Sequence, residues 1–511
     1  MLSNSNSDNK RVAKNTILLY GRMVLLLCVS LYTSRIVLAA LGVQDYGIYN
    51  VVGGIVAMFS FINMALSNST SRFITFALGK GNIENLQVVF NAAFAAHVVI
   101  ALVIIIISET IGLWFLYYKM VIPATRMLAA FWVFQFSVIA CVASIIYAPF
   151  NATIIAHERM GAFAYFSIID ALLKLLVAYV IAITEFDRLI FYSFLYLCVN
   201  LFDIFIYQFY CRKHFKEVRF KKHSDWRILK KIMGFAGWSM IGNLAYVGYT
   251  QGLNLLLNIF FGPFVNAARG VATQIQNAVM GFVANFQTAI NPQITKSYAS
   301  ANYTRMHTLI YTSSKFSFFL LYCIILPLSI ESEFVLGLWL VEVPDYAVQF
   351  TVLTLFARLV DTLSNPIGIA NNATGTIRKY QIIEGGALLF IVPVAYIVLK
   401  GGGDPTSVFW VQLIIMYVVQ VLRLFLVCKK INMQIVEYCK RVLLKVIFVA
   451  FLSSLIPVYL HCCLQRNIAS SLTVICASFI SVSLFSYFIG LENNEKVFVK
   501  NKLYEFVKYK K

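Results

Sequence analysis

The sequence predicts an all-α polytopic membrane protein with about fourteen transmembrane helices, arranged as two six-helix lobes plus two C-terminal helices. Three observations predict it. Of 511 residues, 60% are hydrophobic and only 13% are charged, whereas a soluble globular domain carries about 25% charged residues. Apolar runs of about 20 residues recur from end to end, the length a helix needs to cross the hydrocarbon layer. A transmembrane β-barrel would instead alternate over segments of about ten residues. Lastly, the Lys/Arg residues are distributed as cytoplasmic loops require.

In chain order, a polar N-terminal tail (1–14) carries Lys10, Arg11 and Lys14 and reads as disordered. The first lobe (15–210) holds spans at about 15–40, 46–66, 84–108, 124–147, 161–183 and 188–210. A basic linker (211–231), CRKHFKEVRFKKHSDWRILKK, carries nine Lys/Arg and belongs in the cytoplasm, because so many cations cross a bilayer poorly. The second lobe (232–427) holds spans at about 232–260, 264–291, 307–330, 346–369, 382–400 and 407–427. Two more spans, about 442–461 and 469–489, lie within 428–489, and a basic cytoplasmic tail (490–511) follows. That tail interleaves apolar residues with lysines, so it either lies on the inner leaflet or is solvated.

With the N-terminus inside, about 30 Lys/Arg fall in cytoplasmic segments and few outside, namely Lys119, Arg126, Arg188, Lys400 and Arg466. The asymmetry predicts both termini in the cytoplasm. Trp114, Trp339 and Trp410 fall near external interfaces and Trp226 near the internal one. The net charge of +20 is thereby explained by topology, and nucleic acid is not expected as a partner. The ten cysteines show no metal spacing. No P-loop, zinc or Ser/His/Asp pattern appears, which argues against an enzyme.

A repeat runs through the chain at a constant offset. The segment from Leu41 to Asn82 aligns without gaps on Phe261 to Asn302, pairing Gly42 with Gly262 and Ile74 with Ile294. Six spans separate the two starts, so the halves are parallel repeats about an axis along the membrane normal.

The runs RVAKNTILLYGRM, SLYTSRIVLAALGVQDYGIYNVVGGIVAMFSFIN and SRFITFALGKGN resemble the start of bacterial polysaccharide-export flippases. These belong to the multidrug/oligosaccharidyl-lipid/polysaccharide exporter (MOP) superfamily. The most recognisable piece is Leu41, Gly42, Tyr46, Gly47 and Tyr49 between the first two spans. The resemblance implies a bacterial inner-membrane protein that moves an undecaprenyl-pyrophosphate-linked oligosaccharide from the inner to the outer leaflet by alternating access. It implies membrane lipids, and a polysaccharide polymerase, as partners. Related lipid II flippases line their cavity with arginines on spans 1, 2 and 8. Here Arg22 and Arg269 match spans 1 and 8, but span 2 has only Arg72 beyond its inner end, a departure that bears on a lipid II substrate.

An ionised group at mid-membrane costs about 2.5–3.5 kcal/mol on insertion scales, so each needs a partner or a wet cavity. Arg22 lies roughly 10 Å into the first span, deep for snorkelling, and is a cavity candidate. Arg269 either lines the cavity or snorkels. Arg35, near the outer end of span 1, either snorkels, pairs with an external carboxylate or joins the candidate site. Asp170 with Lys174, and Arg358 with Asp361, are spaced to pair along their own helices. Asp203 has no partner on its own helix; it either answers Arg22 or titrates as an ion-coupling site, for a proton or sodium. Asp361 is the second coupling candidate. Lys315, Glu384 and Arg423 lie near inner ends and are expected to be solvated. Asn63, Asn254 and Asn258 are candidate sugar contacts, amides that equally well join helices. The interior holds seven cations against four acids, which disfavours the alternative of a cation-coupled multidrug exporter of the same superfamily.

Overall fold

The computed structural model describes residues 2–497 except 58, 82, 119–121, 219–224, 262, 341–342 and 466. Its side chains are described from Leu18 onward at all but scattered helix positions. The Asn258 side chain, the middle of the basic linker and residues 498–511 lie outside the described residues, and the N-terminal tail, expected to be disordered, is helical backbone from Leu2 as the start of α1.

Helix α1 (Leu2–Ala57) is broken at Gly42, whose φ of 74° and ψ of 168° leave the helical region. Glycine takes that conformation without a Cβ clash. α2 (Ser60–Gly79) and α3 (Ile83–Ile107) follow, and α3 runs through a π-turn into α4 (Leu113–Tyr118). α5 (Met127–Ala156), α6 (Met160–Ile183) and α7 (Arg188–His214) complete the first repeat. Asp187 caps α7, its Oδ1 accepting from the backbone N–H of Leu189 at 3.1 Å and of Ile190 at 3.2 Å. α8 (Trp226–Phe261) and α9 (Pro263–Ala299) open the second repeat. Then come α10 (Tyr303–Ile330), α11 (Ser332–Trp339), α12 (Ala347–Thr374), α13 (Arg378–Leu389), α14 (Ile391–Lys400) and α15 (Ser407–Cys428). α16 (Ile435–Tyr438), α17 (Leu444–Cys463) and α18 (Ile468–Phe485) close the chain, α18 opening on an Asn467–Ser470 capping box.

The chain is all-helical among the described residues, with 11 stretches long and apolar enough to cross a membrane. They coincide with eleven of the predicted spans. The spans predicted at 46–66, 232–260 and 264–291 fall on α1–α2, α8 and α9. These helices carry many amides, including Asn63, Asn243, Asn254, Gln274, Asn277 and Asn285, which lowers their hydropathy.

The repeat survives in the helix starts. Ile83 and Tyr303 open α3 and α10, and Met127 and Ala347 open α5 and α12, each pair separated by the same offset that sets Leu41 on Phe261. Gly81 (φ 71°) and Ala301 (φ 56°), again at that offset, both turn the chain through the left-handed region.

The chain forms two compact units: Met1–Leu244 with Thr288–Asn302 and Gly375–Arg378, and Ala245–Gln287 with Tyr303–Thr374 and Lys379–Lys511. α8 and α9 each contribute to both. In the first unit α5 packs on α7 and α1 on α6. Its cores include Val37, Val52, Phe134 and Ile181, and, separately, Phe90, Phe150 and Tyr207. In the second unit α12 packs on α10 and α15 around Tyr249, Phe350, Ile391 and Phe409. The α17–α18 pair packs on α10 and is tied to it along its length. Tyr322 Oη donates to Ala450 O at 3.0 Å, and Ser471 Oγ donates to Glu331 at 2.7 Å. Lys315 Nζ donates to Glu495 at 2.8 Å.

Lys315 corrects a sequence expectation, since it is 1% exposed rather than solvated. Arg423 corrects another. It is buried, with Nε donating to Glu384 at 2.9 Å and Nη1 to Ser364 Oγ at 2.5 Å. Hydropathy placed these groups near helix ends, but neighbouring helices extend past them.

Candidate functional site: the buried charges of each unit

Helices α1, α6 and α7 bring the first unit's candidates together. Arg22 lies on α1 with its guanidinium carbon 4.4 Å from the centroid of the Phe163 ring on α6. Its Nε is buried and has no hydrogen-bond partner among the described residues, and no carboxylate pairs with it there. Such a guanidinium keeps its full charge and its donors for an incoming group.

Asp203, on α7, is buried. It does not pair with Arg22. Its carboxyl lies within side-chain hydrogen-bonding reach of the Asp170 carboxyl on α6. Lys174 donates to Asp170 Oδ2 at 2.9 Å, so the predicted helical pair forms. Two carboxyls and one ammonium thus share a site walled by aromatic hydroxyls. Tyr147 and Tyr207 lie 5.1 Å apart between centroids, and Lys174 lies 5.1 Å from the Tyr196 ring. Two carboxylates against one ammonium leave one negative charge, which a single proton or monovalent cation would balance. Sequence reading missed the Asp170–Asp203 contact. A signal existed: both lie about four turns from the loop joining α6 to α7, so antiparallel packing sets them at one depth.

The remaining first-unit candidates are more peripheral. Asn63 joins α2 to α5, its Nδ2 donating to Ser144 Oγ at 3.4 Å. Arg35 is exposed on α1. At the outer end by the predicted topology, a cavity of about 530 Å³ is lined by Asp45, Arg126, Thr184, Glu185, Asp187 and Arg188, among others. Arg126 clamps both Asp45 (2.5 Å) and Asp187 (2.5 Å). Tyr49 meets Tyr192 edge-on at 4.9 Å. The Leu-Gly-x-x-x-Tyr-Gly-x-Tyr signature therefore builds a cap over the α1, α5 and α7 ends, Gly42 supplying the turn.

The second unit holds Arg269 on α9. It is 8% exposed. Nη2 donates to Thr250 O at 2.6 Å, while the buried Nη1 has no partner among the described residues. The guanidinium carbon is 5.7 Å from the Phe409 ring centroid. Arg358 Nη1 meets Asp361 at 2.6 Å, so this helical pair also forms and Asp361 is engaged. Asn254 Nδ2 donates to Gln251 at 3.0 Å on its own helix.

The charge census is selective. Lys174, Lys315, Arg358 and Arg423 each have a carboxylate. Arg22 and Arg269 have none among the described residues.

No family model and no curated protein matches the chain. Solved transporter structures do. A MATE transporter in its bent conformation gives a TM-score of 0.72 at 14% identity, over 83% of this chain and 96% of the other. An outward-facing multidrug resistance MATE family transporter of the MOP superfamily gives 0.70 at 14% identity over the same shares. A MOP superfamily transporter from Pyrococcus furiosus, with a binding pocket of reverse polarity, gives 0.66 at 14% identity over 82% and 96%. At these identities the likeness shows the fold, which is that of MATE-type transporters.

Proposed function

We propose that this chain is a transporter that moves an anionic lipid-linked oligosaccharide, a polyprenyl-pyrophosphate repeat unit, from the inner to the outer leaflet by alternating access. The observation that carries the reading is that, among the described residues, Arg22 and Arg269 have no carboxylate partner. Arg269 is buried and Arg22 is half-buried; a cation so placed without a counter-charge is costly, and an arriving pyrophosphate offsets that cost through charge-assisted hydrogen bonds. Arg22 and Arg269 each attract the pyrophosphate, Asn and Tyr side chains contact the sugars, and the polyprenyl tail stays in lipid. Asp203 with Asp170 carries the coupling proton or sodium ion. The protein resides in a bacterial inner membrane with both termini cytoplasmic, and a polysaccharide polymerase takes up the delivered unit. The structural neighbour whose binding pocket has reverse polarity supports the view that pocket polarity varies within this fold.

The test is Arg22→Ala plus Arg269→Ala in a deletion strain. Surface polysaccharide should fall at least tenfold while the lipid-linked oligosaccharide accumulates on the inner leaflet. Unchanged polysaccharide assembly overturns the reading.

A second reading, a cation-coupled multidrug exporter, is favoured by the likeness to multidrug MATE transporters and by the paired acids Asp170 and Asp203. It expects the deletion strain to become drug-sensitive with its polysaccharide intact.

A further inference from the structure

We propose that the predicted cytoplasmic ends of α2, α5, α9 and α12 form a repeat-related latch. Its ion pair, Glu158 to Lys296, must break before Arg22 can be reached from that side. The proposal rests on the alternating-access reading above. All of the contacts lie within the first compact unit, which includes Thr288–Asn302 and Gly375–Arg378.

The centre of the latch is set by the repeat. Gly79 ends α2 and Ala299 ends α9, and the two are equivalent positions at the repeat offset. They also touch each other. A Cβ placed on Gly79 would lie 2.7 Å from Ala299 Cβ, 2.8 Å from Lys296 O and 2.9 Å from Lys296 Cα. Contact between equivalent positions is what a pseudo-two-fold axis produces. The absence of a side chain at Gly79 is what lets the two backbones meet.

The flanks are equivalent in place but not in chemistry. Glu158 sits in the α5–α6 turn and Gly375 in the α12–α13 turn, with φ of 58° and 78°. On one flank Lys296 Nζ donates to Glu158 Oε1 at 2.7 Å and Gln293 Nε2 to Oε2 at 3.3 Å. The Glu158 side chain is 1% exposed and that of Lys296 is 27% exposed. On the other flank Arg72 lies against the glycine backbone, its Nη2 2.6 Å from where a Gly375 Cβ would be. The Arg72 guanidinium stacks over Phe73, Phe76 and Phe235 at 4.5, 4.8 and 5.6 Å. One flank thus includes close backbone fit and stacking, and the other includes an ion pair. A non-glycine residue in the left-handed region holds only when its surroundings demand it, and such strain gathers at switch points. Glu158 has both the strain and the bond that sustains it.

Behind the ion pair is an apolar plug. Leu19 of α1, Met160 of α6 and Ala289 of α9 are each 0% exposed and pack together with Phe163 and Ile155. Leu19 precedes Arg22 by one helical turn, and Phe163 is the ring under the Arg22 guanidinium. The plug separates the unpaired arginine from the α5–α6 turn. Parting α9 from that turn would remove Ala289 from the plug and admit water to Arg22.

The test reads access directly. Ala289→Cys is introduced, and inside-out vesicles are treated with a membrane-impermeant maleimide, with labelling at residue 289 resolved by peptide mass. Labelling should be slow in the parent. Glu158→Gln, which keeps the shape and loses the charge, should raise the rate at least tenfold. Gly79→Leu, which wedges the seam without touching a charge, should do the same. Exchanging the pair, Glu158→Lys with Lys296→Glu, should return the rate toward the parent's. An unchanged rate in Glu158→Gln and Gly79→Leu overturns the latch, as does a rise in Glu158→Gln that the exchange fails to reverse. Labelling needs no substrate, so failure here leaves the double-arginine test standing. Failure of that test leaves this one readable.

Discussion

Helices α7 and α15 hold the same place in the two repeats, and their buried charges are opposite. Asp203 on α7 and Arg423 on α15 are equivalent positions at the repeat offset, and the helices start at Arg188 and Ser407. Arg423 is fully engaged by the Glu384 carboxylate and by Ser364, which itself donates to Gln420. Asp203 faces a second carboxyl, with one ammonium for the two. The second unit's site is neutral as built, whereas the first unit's site holds two carboxyls to one ammonium. One repeat has a matched clamp where the other has an excess carboxyl, the position proposed above to exchange a proton or cation.

The largest effect that would break the comparison is in the clamp. Arg423→Ala leaves Glu384 without its cation in a buried site and should lower stability by about 3–5 kcal/mol, measured by thermal unfolding in detergent. A variant that melts with the parent would mean the clamp carries nothing. Asp203→Asn should do the reverse. The amide still reaches Asp170 without needing a proton, so melting should change little while gradient-driven transport falls at least tenfold. Retained coupling would make Asp203 as structural as Arg423.

The smallest effect sharpens the contrast at the outer ends. Arg126 precedes α5 in the first repeat. Its equivalent in the second, Tyr346, precedes α12 and stacks on Phe350 at 5.9 Å. At this position the first repeat thus has a charged clamp and the second an aromatic stack. Burial alone would raise the Asp187 carboxyl, but hydrogen bonds from Arg126 and from the Ile190 and Leu189 backbone, with the Arg126 charge, hold it below the usual range. A carboxyl depressed on folding stabilises above its unfolded value, near pH 4, and that stability is lost as pH falls through the folded value. The partners are partly exposed, so Arg126→Ala should cost about 0.5–1 kcal/mol at pH 7 and nothing once both carboxylates it clamps, Asp187 and Asp45, are protonated. A loss that persists at low pH would place the contribution in packing.

Much of this was legible in sequence because membrane physics is one-dimensional at first order. Run length and the fixed offset identify helices and repeat, and the offset reappears in the starts of α3 and α10 and of α5 and α12. The short-range pairs Asp170–Lys174 and Arg358–Asp361 were readable because three or four residues place side chains on one helix face. Solvation was not readable. Lys315 and Arg423 lie at depths that suggest water, yet Glu495 and Glu384 come from other helices to enclose them.

By itself, then, the sequence determined that this chain is helical, spans a membrane repeatedly, is built twice over, and carries more buried cation than anion. Local spacing and composition suffice for that. Which cations stay unpaired was decided only by tertiary structure, because counter-charges arrive from helices far apart in the chain. The same holds for the meeting of Gly79 with Ala299 and of Glu158 with Lys296. Those contacts depend on how α2, α5 and α9 pack together, and no periodicity along a single helix encodes them.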